Sequence, residues 1–324
     1  MQYRKLGRTG IEVSEIGYGA WGIGGNQWQG SDDTTSMSAL HRALELGLNF
    51  IDTALAYNEG HSEKLIGEAV RSAGRKVWVA TKVPPKNRIW PAQPGIGIEE
   101  VFPYDYILAS TETSLRNLGV EQLDLQQLHV WNPEWIDRDE WRRAAEDLKA
   151  SGKIRHFGIS INDHQPDSAL EVIRTGLIDT VQVIFNIFDP TPAARLLPLC
   201  SELGVGVLAR CPLDEGALTG TITEETTFES GEFRAMYFKG DRKCQVVEHV
   251  SALRADLADV PGSLAEIALR WVLSHEAVST VIPGMRKVRN VEANVAVSEL
   301  GPLPREVMER LRRHAWPKNF YNAD

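Results

Sequence analysis

From about residue 34 to near residue 298 the chain alternates between two hydrophobic patterns. One spaces apolar residues three or four apart, as on one face of a helix; the other packs them into a short run that ends in a polar residue. The short runs are Glu15 to Gly19, Asn49 to Asp52, Val77 to Lys82, Leu123 to His129, Ile154 to Ser160, Thr180 to Ile184, Val205 to Arg210 and Val278 to Ile282. The helical stretches are "TTSMSALHRALELG", "SEKLIGEAVRSAG", "YDYILASTETSLRNLG", "RDEWRRAAEDLKASG", "PDSALEVIRTG", "PAARLLPLCSELG", "SLAEIALRWVLSH" and "KVRNVEANVAVSE". Several end in Gly, which the left-handed turn at a helix C-terminus favours. Eight runs alternating with eight helices, without a Pro- or Ser-rich linker, predict an α/β chain. The expected architecture is a single (β/α)8 TIM barrel over residues 1–324, not two doubly wound domains.

Before the barrel, "YRKLGRTGIEVSEIG" places two short extended pieces about a Gly-rich turn, which predicts an N-terminal β-hairpin across the barrel bottom. Two connections are long: Val83 to Tyr104, with five prolines, and Cys211 to about Gly262. Long βα loops at the C-terminal face of a barrel are commonly functional or mobile.

Composition narrows the classes of function. With 324 residues, 43% of them hydrophobic, the chain can bury a large core. A net charge of -9 argues against general affinity for nucleic acid or for an anionic membrane surface. Three cysteines, Cys200, Cys211 and Cys244, form no C-x-x-C pair and no disulfide framework. No run approaches the roughly 18 apolar residues of a membrane span, and "MQYRKLGRTG" has no apolar signal core. A cytoplasmic, unexported protein is expected, with no metal site and with an oligomeric state that the sequence leaves open.

The stretch "GYGAWG", Gly17 to Gly22, spells G-x-G-x-x-G. A dinucleotide-binding turn of that pattern needs a hydrophobic strand before it and a helix starting within it, so that the helix N-terminus meets the pyrophosphate. Here only a short run precedes it, and "IGGNQWQGSDD" after it is too rich in Gly, Asn and Asp to propagate a helix. The glycines need another explanation.

In a barrel of this kind the active site gathers at the C-terminal ends of the strands. The second run leads into "DTALAY", giving Asp52 and Tyr57; the third ends in Lys82 and the fourth in His129. Singly, each has a structural reading: a helix cap, a loop aromatic, a solvated strand end, a packing residue. Four ionisable groups at three successive strand ends would converge on one mouth.

Over nearly its whole length the chain resembles the aldo-keto reductases. The matching segments are "NFIDTALAYNEGHSEKLIGEAV", "VWVATK", "LDLQQLHVW", "GKIRHFGIS", "VQVIFN", "PLDEGALTG" and "STVIPGMRKVRNVEANV", in the family's order and spacing. The resemblance implies a barrel that binds an extended nicotinamide cofactor without a Rossmann domain. It also implies hydride transfer between NADPH, with NADH as the other option, and a carbonyl compound. "GYGAWG" then resembles the end of the first barrel strand, where small residues Gly19 and Ala20 let the backbone approach the nicotinamide and Trp21 forms a wall of the substrate pocket.

The family's catalytic tetrad carries over as Asp52, Tyr57, Lys82 and His129. Reducing a carbonyl requires a hydride and a proton for the developing alkoxide. Free tyrosine ionises near pH 10, so lowering it by about three units takes roughly 4 kcal/mol. The Lys82 ammonium is expected to supply much of this, with Asp52 keeping it charged. His129 either donates to the substrate oxygen or helps relay the proton.

The resemblance also implies the cofactor contacts. Ser160 matches the serine of a G-x-S-N motif, which here reads "GISIN" with Ile161 inserted before Asn162. Gln182 matches an amide-binding glutamine. Where many members stack an aromatic ring on the nicotinamide, this chain has Arg210, whose guanidinium plane can also stack. Asp52 counts among the contacts, and "PLDEGALTG" contributes Pro212, Leu213, Gly216 and Leu218. "PGMRKVRN" brings Gly284, Met285, Arg286 and Asn290, followed by Asn294, to the adenosine end. Arg286 or Lys287 can meet a 2′-phosphate, which favours NADPH. Two common family residues are replaced here, a lysine by Gly284 and a glutamate by Ala293.

Trp21, Trp28, Trp90, Trp131 and Trp135 fall in or near loops of the upper face. Trp21, Tyr57, Trp90, His129 and Trp131 are the expected substrate contacts. Flat aromatics beside a polar tetrad suit an aromatic ketone or a sugar stacked by its C–H face. A cofactor-binding regulatory protein, of the kind seen in potassium-channel β-subunits, is the alternative to an enzyme.

Overall fold

The computed structural model describes residues 1–25, 27, 28, 30 and 32–320; residues 26, 29, 31 and 321–324 lie outside the described residues. Its strands are β1 (Tyr3–Lys5), β2 (Glu12–Ser14), β3 (Tyr18–Gly19), β4 (Phe50–Asp52), β5 (Trp78–Val83), β6 (Leu123–Leu128), β7 (Ile154–Ser160), β8 (Thr180–Ile184), β9 (Gly206–Arg210) and β10 (Thr280–Val281). The helices are α1 (Asp33–Glu45), α2 (His61–Ser72), α3 (Ile98–Val101), α4 (Tyr104–Leu118), α5 (Asp139–Ala150), α6 (Leu170–Arg174), α7 (Leu196–Leu203), α8 (Phe233–Tyr237), α9 (Arg242–Asp256), α10 (Leu264–Leu273), α11 (Val288–Ala296) and α12 (Arg305–Leu311).

Strands β3 to β10 lie side by side in chain order and run parallel. Parallel bridges from Ile16 to Val281 and from Gly19 to Gly284 join the two edges and close the barrel. The closure explains the opening glycines. A Cβ on Gly19 would stand 2.5 Å from the Ile282 carbonyl oxygen, and one on Gly17 would stand 2.9 Å from Thr280 Oγ1. Gly22 leaves room for an arginine, since its Cβ would meet Arg286 Cδ at 2.8 Å. No α-helix starts in this stretch; its end is a single 3-10 turn at Trp21–Ile23.

The expected hairpin is present, with β1 and β2 antiparallel in the register Tyr3 to Ser14. Its Leu6, Ile11 and Val13 pack into the barrel bottom against Phe50, Ala80, Leu125, Leu208 and Ile282. Outside, the helices bury their apolar stripes against the barrel, α1 beside α2 and α11, and α4 beside α2 and α5. Asp32 caps α1 by accepting a hydrogen bond from the Thr35 amide at 2.8 Å, and Ser263 caps α10 in the same way.

The long connection after β9 is itself folded. It carries the short helix α8 and the 15-residue helix α9, which buries Val246, Val250 and Leu253 along one stripe. Among the described residues no helix is long and apolar enough to cross a membrane.

Candidate active site

The two-residue period of a strand decides which side chains meet at the barrel mouth. Phe50, Ala80, Leu125 and Leu208 point inward over the hairpin. Two residues further along the same strands come Asp52, Lys82, Gln127 and Arg210. The inner layer nearest the C-terminal ends is therefore polar, and Ser160 and Gln182 join it from β7 and β8.

Lys82 is fully buried. Its Nζ donates to Asp52 Oδ1 at 2.5 Å and to the Thr53 carbonyl at 2.7 Å, and lies 3.4 Å from the Tyr57 hydroxyl. The other oxygen of Asp52 accepts from Gln182 Nε2 at 2.7 Å and from Gln127 Nε2 at 3.4 Å. A buried charge is tolerable only when paired and hydrogen-bonded, and here both partners are. Tyr57 stacks on Trp21 with ring centroids 6.2 Å apart, and His129 meets it edge-on at 5.8 Å. Trp90 approaches the other side of His129 at 5.8 Å.

The surroundings of Tyr57 bear on its titration. Burial pushes the phenol well above its ordinary value and Asp52 pushes it further, while Arg210 pulls the other way. Burial also pulls Lys82 below its ordinary value against the opposing pull of Asp52. His129 is held well below its usual range by burial, then by Lys82 and Arg210, so the imidazole is neutral. Its Nδ1 is buried without a hydrogen-bond partner.

Above this layer opens a cavity of about 1470 Å³. That exceeds the roughly 300–1,000 Å³ of a common small-molecule pocket and leaves room for a dinucleotide with a substrate. Tyr57, His129, Trp21 and Trp90 line one end. Along the floor and the far side lie Gly19, Ala20, Asp52, Ser160, Asn162, Gln182 and Arg210, then Pro212, Leu213 and Gly216, and finally Gly284, Arg286, Asn290 and Asn294.

Four expected contacts are placed differently. Trp131 is fully buried against Trp135 and Trp141 and donates from Nε1 to the Ser168 carbonyl at 3.2 Å, so it is core and not a substrate wall. Leu218 and Met285 are fully buried and do not line the cavity; the Met285 carbonyl accepts instead from the Tyr18 hydroxyl at 2.9 Å. Asn162 does line it, yet its amide clasps the Ala92 backbone, donating to the carbonyl at 3.1 Å and accepting from the amide at 3.2 Å. This pairing ties the side chain that follows Ile161 to the loop after β5. Trp135 is core as well.

Other cavity residues carry no spacing signal in the sequence. Phe233 and Arg234 come from α8, where the Phe233 amide donates to the Gln27 carbonyl at 3.1 Å and the ring meets Trp21 at 4.7 Å. The connection after β9 thus straps across to the loop after β3. Arg234 and Arg286 approach the Trp28 ring, with Cζ at 4.9 and 5.6 Å from its centroid. Arg289 lines the same end and Lys287 does not. Arg210, Arg234, Arg286 and Arg289 thus line a cavity in a chain of net charge -9, and this donor set fits a polyanionic dinucleotide. Among the described residues no group of three or more His, Cys, Asp or Glu side chains could hold a metal ion.

Comparison with known proteins agrees with this geometry. The model of the Aldo/keto reductase family matches residues 15–315. The aldo-keto reductase YhdN of Bacillus subtilis is 33% identical over 304 residues, covering 90% of this chain and 87% of that protein. The NADH-specific methylglyoxal reductase of Escherichia coli is 29% identical over 327 residues, covering 95% of this chain and 98% of that protein. The holo form of the aldo-keto reductase AKR11C1 from Bacillus halodurans superposes with a TM-score of 0.77 at 30% identity, over 97% of this chain and 96% of that one. With a barrel mouth built to its pattern and a match along nearly all its length, the chain belongs to the aldo/keto reductase family, whose members are NAD(P)H-dependent oxidoreductases of small carbonyl compounds.

Proposed function

We propose that this chain transfers a hydride between NADPH and the carbonyl carbon of a small molecule, with Tyr57 as the proton donor. The observation that supports this best is the Tyr57 hydroxyl 3.4 Å from Lys82 Nζ, with Asp52 paired to that lysine on the floor of an arginine-lined cavity. When bound, the nicotinamide supplies the hydride, and Ser160 and Gln182 are the polar groups available to its carboxamide. The remaining steps belong to the chain. Trp21 and Trp90 bracket the substrate, and its oxygen lies between Tyr57 and His129. As the carbon gains the hydride, the oxygen gathers negative charge and takes the Tyr57 proton. The phenolate left behind faces Lys82, and neutral His129 offers an N–H to the same oxygen or relays the returning proton. Turnover of a panel of aldehydes, ketones and sugars with NADPH and with NADH tests this reading. Cofactor binding without turnover of any of them would point to a regulatory protein instead.

The raised Tyr57 has a consequence for pH. A phenol whose pKa lies well above its ordinary value stays protonated through the neutral range, so the proton donor for reduction is in place there. Alcohol oxidation needs the phenolate and gains it only as pH rises. We therefore expect kcat/KM for reduction to be nearly flat between about pH 6 and 9, and that for oxidation to climb about tenfold per pH unit over the same range. A reduction rate that falls with pH through neutrality would show that Tyr57 is more acidic than its surroundings imply.

Arg286 is the residue we assign to the 2′-phosphate. Hydrogen bonds to a charged partner are worth about 1.5–3 kcal/mol, a roughly 10- to 150-fold change in affinity. Arg286→Ala should weaken NADPH by about that factor and leave NADH nearly unchanged, with Arg289 or Arg234 sharing the contact. Equal losses in the two dissociation constants would assign Arg286 to the fold or to the pyrophosphate.

A further inference from the structure

The inner position at the end of β9 carries a charge that the proton chemistry does not require. Arg210 follows Leu208 on the inner face, so its side chain rises into the mouth and is only 20% exposed. Its Nη2 donates to the Ile161 carbonyl at 2.9 Å and to Asp163 Oδ1 at 2.5 Å, and Nη1 stands 3.7 Å from Cys211 Sγ. Its Nε is buried without a partner. Two acceptors on the stretch after β7 thus fix the guanidinium, while one of its donors remains unused beneath the cavity.

The charge reaches the reaction centre. Arg210 acts on Tyr57, Lys82 and His129 alike, disfavouring added positive charge on each. Tyr57 protonates the oxygen of a carbonyl whose carbon exchanges the hydride, and the two atoms are one bond apart. The hydride-carrying ring must therefore stand within a few ångströms of Tyr57, inside the same field. That ring bears a positive charge when oxidised and none when reduced. A fixed cation penalises the first form and leaves the second almost untouched.

We propose that Arg210 makes this site discriminate between the two redox states of its nicotinamide cofactor, weakening the oxidised form relative to the reduced one. The inference rests on the reading that a nicotinamide binds in this cavity. In alcohol oxidation, two electrons and a proton pass as hydride from the alcohol carbon to the ring, and the hydroxyl proton passes to Tyr57. The ring loses its charge beside Arg210, so the exchange on the protein leans toward carbonyl and reduced cofactor. Asp163 offsets part of the effect. Glu215, which accepts from the Cys211 thiol at 3.0 Å and whose carboxyl burial pushes up to about 7, offsets more of it when ionised.

The test is the ratio of dissociation constants, oxidised over reduced, for NADP+ and NADPH measured separately by calorimetry at fixed pH and salt. Arg210→Gln should lower the ratio about tenfold, which corresponds to about 30 mV in the potential of the bound couple. Asp163→Asn should raise it, Arg210→Lys should preserve it, and the double variant Arg210→Gln/Asp163→Asn should fall between. The double variant leaves no buried charge unpaired and so remains measurable if the single one folds poorly. A purely structural ion pair would move both constants together, so an unchanged ratio in Arg210→Gln, or a double variant whose ratio equals that of Asp163→Asn, overturns the proposal. If the parent chain bound neither nucleotide, the reading on which the proposal rests would fall with it.

Discussion

Tyr57→Phe should lower the rate of carbonyl reduction by about 10²- to 10⁴-fold, the range that a positioned proton donor contributes. The substitution removes one oxygen and leaves the ring that stacks on Trp21 and meets His129, so the cavity keeps its shape. It also removes no charge, because burial and Asp52 hold the group as a phenol. Affinity for NADPH should consequently stay within about twofold of the parent. The informative measurement is a single-turnover rate under saturating cofactor and substrate, which separates the chemical step from product release. A variant that reduced carbonyls at near the parent rate would remove Tyr57 from the reaction and leave His129 as the donor.

Lys82→Met has a second large effect, on stability as well as on rate. The side chain is fully buried, and its ammonium is the close partner of a carboxylate that is also buried. Removing one member of such a pair leaves an uncompensated charge and typically costs about 3–5 kcal/mol. Asp52 would then accept only from Gln182 and Gln127. Lys82→Met should unfold at markedly lower urea, and its alcohol oxidation should suffer more than its reduction because the phenolate would face an anion with no cation between. The double variant Lys82→Met/Asp52→Asn should recover most of the stability and none of the oxidation rate. If the single variant were as stable as the parent, the pair would not be carrying buried charge.

The barrel was legible because most of its strands announce themselves twice, by an apolar run and by the polar residue that ends it. The run from Phe50 to Asp52 and the run from Leu208 to Arg210 both place a polar side chain two residues beyond an inward apolar one, and this phase brings the polar layer to one mouth. Side-chain direction in the loops had no such period behind it. Trp90 and Trp131 look alike in sequence, yet the first lines the cavity and the second is sealed between Trp135 and Trp141. The helix α9 does carry a signal, in the spacing of Val246, Val250 and Leu253, but the Gly- and Thr-rich residues before it read as loop. The sign of the Tyr57 shift was beyond reach of spacing altogether. It depends first on how completely the phenol is buried and then on how near Asp52 stands, and both are set by packing between distant parts of the chain.

The clasp between Asn162 and Ala92 fastens one long loop to the barrel by its backbone. That loop lends Pro84, Pro85, Lys86, Arg88 and Trp90 to the lining of the cavity, whereas Arg210, Arg234, Arg286 and Arg289 come from β9 and the segments after β9 and β10. Because the hold on residue 92 uses main-chain atoms, it tolerates most side chains at the positions before it. Descendants of such a gene could therefore exchange residues 84–91 and acquire new substrates while inheriting their nucleotide grip unaltered. Swapping that loop between relatives should transplant substrate preference without disturbing nucleotide preference, a division of labour that lets one scaffold radiate into many reductases.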